Sequence, residues 1–514
     1  MSLLRLIFGR PLANRESESV KIGIVAGVAA MGLDGLSSSA YGPEAALAML
    51  RPLGAAGLAA ILPIMLGILA LLGILFLSYR QVIAAYPVNG GSYTVAKENL
   101  GANAGLLAAT ALMLDYVLNV AVGISAGVAA LVSALPALQP FTLWLCLGVL
   151  ALVTLINLRG TQESGLAFAV PTYVFLASFA VVLALGLAET LLAGGHPHAV
   201  IPPPPLSPAI EGFGAYVLLR AFAGGCTAMT GVEAVSNGVT AFRKPEVPRA
   251  RHTLALIVAV LALLLAGIAF LAQAYGIGAM DQTRPGYQSV LSQLVAAVAG
   301  RGAFYFVAIA SLLAVLCLSA NTSFIGFPRL CRLVAQDDYL PRAFAMPGRR
   351  LVNSVGIAYL AAFAGVLLVA FDGITDRLIP LFAVGAFLAF TLAQAGMAVH
   401  QGDGTPGTRD RLRRALNGVG AVATGCALLV ILAAKFAAGA WITVIAIPCC
   451  FALFKAVKRQ YRWEEQRLRD HAPLQLRDRE PPVVVVTAEG WNRATEKALL
   501  LALRLSPDVI GLHL

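Results

Sequence analysis

Two apolar stretches of the chain carry side chains that apolar stretches rarely hold. Residues 31–44, MGLDGLSSSAYGPE, put Asp34, Ser37, Ser38, Ser39, Tyr41, a Gly-Pro pair and Glu44 into one run. Residues 224–238, GGCTAMTGVEAVSNG, set Thr227, Thr230, Glu233, Ser236 and Asn237 among four glycines. A carboxylate near a bilayer centre costs about 2.5–3.5 kcal/mol on insertion scales, so one that persists there marks a functional site. Asp34 and Glu233 are read in that way. Glycine and proline open the backbone. Freed carbonyls then suit cations, and half-helix N-termini suit anions. A third stretch, LDYVLNVAVGISAG (114–127), adds Asp115, Tyr116, Asn119 and Ser125. At helical spacing 112, 116, 119 and 123 share a face, as do 115, 119 and 122, so Tyr116 and Asn119 are expected to face one cavity.

Plainer roles compete at each position. Serines in membrane helices commonly bond the preceding turn or a neighbouring helix. Tyr41 and Tyr116 suit interhelical packing as well as ligation. Asp115 suits a basic partner or a helix end. Glu44, after Pro43, suits a helix start, where a carboxylate complements the dipole. His196 and His198 lie in a proline-rich loop and are expected to be solvated.

The elements that must position these groups are membrane spans. Mean hydropathy is +0.81, and 12% of residues are charged, against about 25% in soluble proteins. The net charge of +11 does not indicate nucleic-acid binding, because the basic residues sit in loops between apolar runs. Twelve spans are expected, near 22–50, 55–80, 104–134, 141–158, 166–194, 213–240, 252–277, 302–334, 352–371, 377–399, 416–435 and 438–457. Lysine and arginine concentrate in the even-numbered connections, which puts both termini in the cytoplasm. The first 21 residues are basic and mixed, with no cleavable signal. Seven scattered cysteines match no metal or disulfide spacing. No nucleophile–base pair or phosphate loop suggests catalysis, and no cofactor is expected.

Four segments follow: a cytoplasmic N-terminal segment (1–21), a transporter domain (22–457), a basic linker (458–480) and a βαβ unit (481–514). That unit reads as strand PPVVVVTAEG, helix WNRATEKALLLALRLS and strand DVIGLHL. It is too small to bury a core alone. Either it is part of a larger α/β domain or it packs on a second copy. Polar, glycine-broken spans 1 and 6 occupy corresponding places in two halves. They point to an inverted repeat of five spans plus five with a midplane site.

YPVNGGSYTVAKENLG (86–101) and LSANTSFIGFPRLCRLVAQDDYLP (318–341) resemble signatures of the amino acid–polyamine–organocation superfamily. The resemblance implies an all-α LeuT-type fold and alternating access. Span 1 is similar to that of the KimA-type potassium–proton symporters of bacteria. These pair an Asp and a Tyr in span 1 with Asp-Tyr in span 3 and Thr-x-x-Glu in span 6. The matching residues are Asp34 and Tyr41, Asp115 and Tyr116, and Thr230 and Glu233. Asn119 stands where that family has Thr, Gly123 where it has Ser, and Phe382, in IPLFAVGAF, where it has Tyr. The C-terminal unit resembles the start of a universal-stress-type domain, which implies homodimerisation and a cyclic dinucleotide regulator.

The expected function is proton-coupled potassium import across the bacterial inner membrane. Asp34, Tyr41, Asp115, Tyr116, Asn119 and Thr230 would hold the ion, and Asp34 and Glu233 would carry the proton. The alternative is an amino-acid or amine permease, with Asp34 on the substrate ammonium and room for a side chain beside Gly123 and Phe382. A sensor that binds without transporting is a third reading, motivated by the fused C-terminal unit.

Overall fold

The computed structural model describes residues 21–87, 91–159, 165–210, 212, 214–346, 354–400, 407–468, 481–488 and 490–513. The expectations for residues 1–20 and for the linker beyond 468 fall outside that set. The chain divides into two units, Met1–Arg459 and Gln460–Leu514.

The first unit is helical. In chain order its helices are α1 (Ile24–Met31), α2 (Leu33–Leu50), α3 (Ala55–Ala85), α4 (Gly91–Leu100), α5 (Ala102–Ala134), α6 (Thr142–Arg159), α7 (Gly165–Leu192), α8 (Ala215–Gly225), α9 (Ala234–Asn237), α10 (Glu246–Ala274), α11 (Val290–Ala299), α12 (Ala303–Gln336), α13 (Ser354–Ala370), α14 (Thr375–Leu378), α15 (Val384–Val399), α16 (Thr408–Lys435) and α17 (Trp441–Leu468). Among the described residues eight helical stretches are long and apolar enough to cross a membrane, and three shorter apolar helices accompany them. The chain is a multi-pass membrane protein.

Three discontinuities shape this unit. The first lies at Gly32, before Asp34, and is only a bend. Gly32 N still donates to Val28 O at 2.9 Å, and Leu36 N to Gly32 O at 2.8 Å. The serine run and Pro43, expected inside the break, lie within continuous helix α2. Glu44 is therefore inside a helix and not at its start. The second discontinuity is a true unwinding. After α8, a 3₁₀ turn over Cys226–Met229 leads to extended Thr230 and to Gly231 at φ +83°. The third was not anticipated. The run expected as one span over 377–399 is split between α14 and α15, with Ala383 at φ +76°. Helices α4 and α11 were likewise not expected.

α12 packs more extensively on α5 than any other pair of elements does, and glycines explain why. A Cβ placed on Gly123 would come within 2.7 Å of Ser319 Oγ, and one on Gly127 within 2.8 Å of Cys317 Sγ. Small residues let two backbones approach in this way. The space beside Gly123, expected to be open only in the alternative amino-acid or amine reading, is filled by α12.

A polar hub joins the end of α12 to two further helices. Asp337, just past α12, receives Lys97 Nζ of α4 at 2.6 Å and the Tyr93 hydroxyl. Its carbonyl accepts from Lys458 Nζ of α17 at 3.0 Å.

In the second unit β1 (Val484–Ala488) and β2 (Val509–His513) pair in parallel, from Val484↔Val509 to Ala488↔His513. Between them runs α18 (Arg493–Leu505), whose N-cap Asn492 accepts from the Ala494 and Thr495 amides.

Gly127→Val is expected to overpack the α5–α12 contact, at a cost of about 1–3 kcal/mol, and Gly127→Ala to cost less. Thermal unfolding in detergent should rank them wild type, alanine, valine. An unshifted midpoint for the valine variant contradicts the close approach.

Candidate functional site

Asp34 occupies the first turn of α2, where the helix dipole favours a negative charge. The unwound 230–233 segment lies directly on it. A Cβ on Gly231 would stand 2.6 Å from Asp34 Cγ and 2.6 Å from Gly35 N. With φ at +83°, glycine is required there twice over, for conformation and for space.

Ser38, Tyr41 and Thr230 converge beside this contact, and their hydrogens can be accounted for. Ser38 Oγ donates to the Asp34 carbonyl at 2.8 Å, and Thr230 Oγ1 to the Thr227 carbonyl at 3.0 Å. The Tyr41 hydroxyl lies 2.6 Å from Ser38 Oγ and supplies the hydrogen of that bond. All three hydrogens are then used. Thr230 Oγ1 still lies 3.3 Å from both Ser38 Oγ and the Tyr41 hydroxyl. Those two contacts bring lone pairs together, an arrangement suited to a cation. Ser37 and Ser39 instead bond the Asp34 and Leu36 carbonyls and serve the helix.

α5 supplies the next side chains. Asn119 Nδ2 donates to Ser323 Oγ of α12 at 2.9 Å. The Tyr116 hydroxyl accepts from Asn237 Nδ2 at 3.1 Å, and its tip lies against Gly326. Tyr116 and Asn119 thus both lie along α12, one against Gly326 and the other on Ser323. The Ala386 amide, in the first turn of α15, faces the Asp115 carboxyl. Asp115 therefore takes the helix-end role as well. Phe382, in the third discontinuity, packs on Tyr41 with ring centroids 6.1 Å apart.

Burial is nearly complete, with Asp34 at 3% exposure, Asp115 at 2% and Glu233 at 1%. Asp34 and Asp115 both feel the negative charge of Glu233. Four buried oxygens in this region have no hydrogen-bond partner: Asp34 Oδ1, Asp115 Oδ1, Asn119 Oδ1 and Glu233 Oε2. All four are acceptors. Among the described residues no ion pair reaches any of the three carboxylates. An uncompensated buried charge is strongly unfavourable, so the cluster requires protons or a cation.

Beyond Tyr41, a cavity of about 20 Å³ is lined by Tyr41, Glu44, Tyr287, Thr375 and Asp376, among others. Glu44 accepts from the Tyr287 hydroxyl at 2.7 Å. Ser323, Ser319 and the Ala386 amide were missed from sequence. The spacing of Ser319 and Ser323, four apart in a polar run of α12, was the available signal for the two serines.

A helical membrane protein whose chain breaks around a buried polar cluster has the build of a permease. The amino acid permease family model matches residues 24–457, and the chain belongs to that family. Over its full length it is 37% identical to the potassium transporter KimA of Bacillus subtilis (strain 168), covering 83% of that protein.

Gly231→Ala should push the 230–233 segment off Asp34. The variant is expected to reach the membrane and to lose uptake by at least roughly tenfold, the effect of a strained, displaced site. Uptake at the wild-type level would contradict the contact.

Proposed function

We propose that this chain imports potassium together with protons across the bacterial cytoplasmic membrane by alternating access. The carrying observation is the set of four unpartnered buried acceptors, three of them carboxylate oxygens, with no basic partner among the described residues. The likeness to a potassium transporter over the full chain supports potassium as the ion. Tyr41, Tyr116, Asn119, Thr230 and carbonyls of the unwound segment replace part of its hydration shell. Asp34, Asp115 and Glu233 supply the field.

Coupling follows from charge count. One monovalent cation offsets one carboxylate, and three are buried. The remaining acids are neutral only if protonated, so the loaded site holds both cation and proton. Asp34 and Glu233 are the proton carriers in this reading. Burial favours the neutral carboxyl and a bound cation the charged one, so loading and proton movement are linked.

The arrangement in the membrane belongs to the same proposal. It comprises twelve spans, with α1–α2 and α8–α9 as the broken first spans of two inverted repeats of five. Both termini are cytoplasmic, on the side of the lysine- and arginine-rich connections. The exposed Leu500, Leu501, Leu503 and Leu505 of α18 support homodimerisation through the C-terminal unit. A cyclic dinucleotide is the regulator proposed there.

A second reading, an amino-acid or amine permease, draws on the family's description and on the attraction of an acidic site for an ammonium group. The structure offers it little room. Ser319 and Leu316 fill the space beside Gly123, and Phe382 is fully buried against Tyr41.

The test is rescue of a potassium-uptake-deficient bacterium at limiting potassium. The wild-type chain should restore growth. Asp34→Asn and Glu233→Gln should each cut rubidium uptake by at least roughly 30-fold, as for loss of a buried charged partner. No rescue despite membrane expression removes the potassium assignment. Saturable uptake of a labelled amino acid, indifferent to potassium, establishes the second reading.

A further inference from the structure

The proposed cation site is built on α2, α5 and the unwound segment after α8, yet one of its side chains is held from outside that set. Ser319 and Ser323 lie four residues apart and share a face of α12. Both are completely buried. That face runs along Asn119 and Gly123 of α5, also four apart. At one level Asn119 Nδ2 donates to Ser323 Oγ at 2.9 Å. At the other, Ser319 Oγ stands where a side chain at 123 would go, with its own hydrogen bonded to the Leu316 carbonyl at 2.7 Å. Because glycine at 123 lets α12 approach, Ser323 can reach Asn119.

The orientation of Asn119 matters because an amide has two unlike ends. Its NH₂ carries two donors and repels a cation, whereas its carbonyl oxygen accepts and attracts one. One of those donors is directed at the Asp34 carboxyl, which leaves the other to be held. Ser323 gives that NH₂ a neutral acceptor in the wall of the site, and Asn119 Oδ1 is left without a partner.

We infer that Ser323 is a positioning residue for cation binding, anchoring the Asn119 NH₂ so that the amide oxygen faces the ion. This rests on the cation-site reading above. Without Ser323 the amide turns more freely, and conformers with NH₂ toward the ion weaken binding.

The experiment is concentration-dependent rubidium uptake by the full chain in potassium-uptake-deficient cells, scored per molecule in the membrane. Ser323→Ala is expected to raise KM for rubidium about tenfold, as for one lost hydrogen bond to a charge-bearing site, with a smaller change in maximal rate. Ser323→Thr, which keeps the hydroxyl, should recover most of the loss. Ser323→Cys, similar in shape but a weak acceptor, carries the test if the alanine variant does not reach the membrane. In an Asn119→Ala background, Ser323→Ala should add less than about twofold, because the interaction is already gone. An unchanged KM, or full additivity in the double variant, overturns the inference. Asp34→Asn is run in parallel. If it loses uptake while Ser323→Ala leaves KM unchanged, only this inference falls. If it keeps wild-type uptake, the cation-site reading falls and takes this inference with it.

Discussion

Three carboxylates buried inside a membrane protein, with no basic side chain paired to them among the described residues, set the terms for the rest of the structure. Such a cluster is unfavourable unless neutralised, and the surrounding fold supplies field and shape but no counter-charge. The chain therefore approaches itself closely at this point. Gly231 lies on Asp34 at a distance that excludes even a methyl group, and Thr230 is carried in extended backbone to the Tyr41 hydroxyl. Neutralisation must come from something mobile. That is what separates the proposed site, which would bind and release, from a salt bridge that only holds.

The hydroxyl network shows how a neutral wall is tuned to the same end. Serine and threonine hydroxyls each have one hydrogen and two lone pairs. Here the hydrogens of Ser38 and Thr230 go to carbonyls of their own chain segments, Asp34 O and Thr227 O. The lone pairs are what remain on the inside. A wall built in this way presents negative potential without carrying charge, and it does so only because local backbone carbonyls absorb the donors. Asn119 follows the same logic by another route, with its donor end engaged by Ser323 and its acceptor end free.

How far the site was legible in the sequence varies by residue. Asp34, Glu233 and Asp115 stood out because a carboxylate in an apolar run breaks a strong rule, and Thr230 stood out beside a glycine. The position of the first break did not follow from the same signal. Ser37, Ser38, Ser39 and Pro43 looked like helix breakers, yet each serine bonds a carbonyl three or four residues back. Such bonds satisfy the hydroxyl within the helix, so the helix runs through and only Gly32 bends. The opposite error occurred over 377–399. IPLFAVGAF carries Pro380 and Gly385, a proline and glycine like those that marked the other breaks and here passed over, but nothing local announces that Ala383 between them takes a left-handed conformation. Tertiary packing decides that. α4 and α11 were missed because a ten-residue helix has too few turns to show a clear apolar period.

Gly123 and Phe382 show best why site residues cannot be read one at a time. Both stand where the resembling symporters carry a side-chain oxygen, and both look like losses that enlarge a pocket. In the folded chain neither leaves a space: α12 moves into one, and an aromatic ring against Tyr41 fills the other. These two positions thus offer neither a side-chain oxygen nor open space. A cation held by fewer neutral oxygens depends more on the carboxylates and on backbone carbonyls. Carboxylates, unlike hydroxyls, exchange their cation for a proton. In the proposed site, glycine at 123 and phenylalanine at 382 therefore place the weight on charge and not on neutral coordination, and tie ion occupancy to proton occupancy.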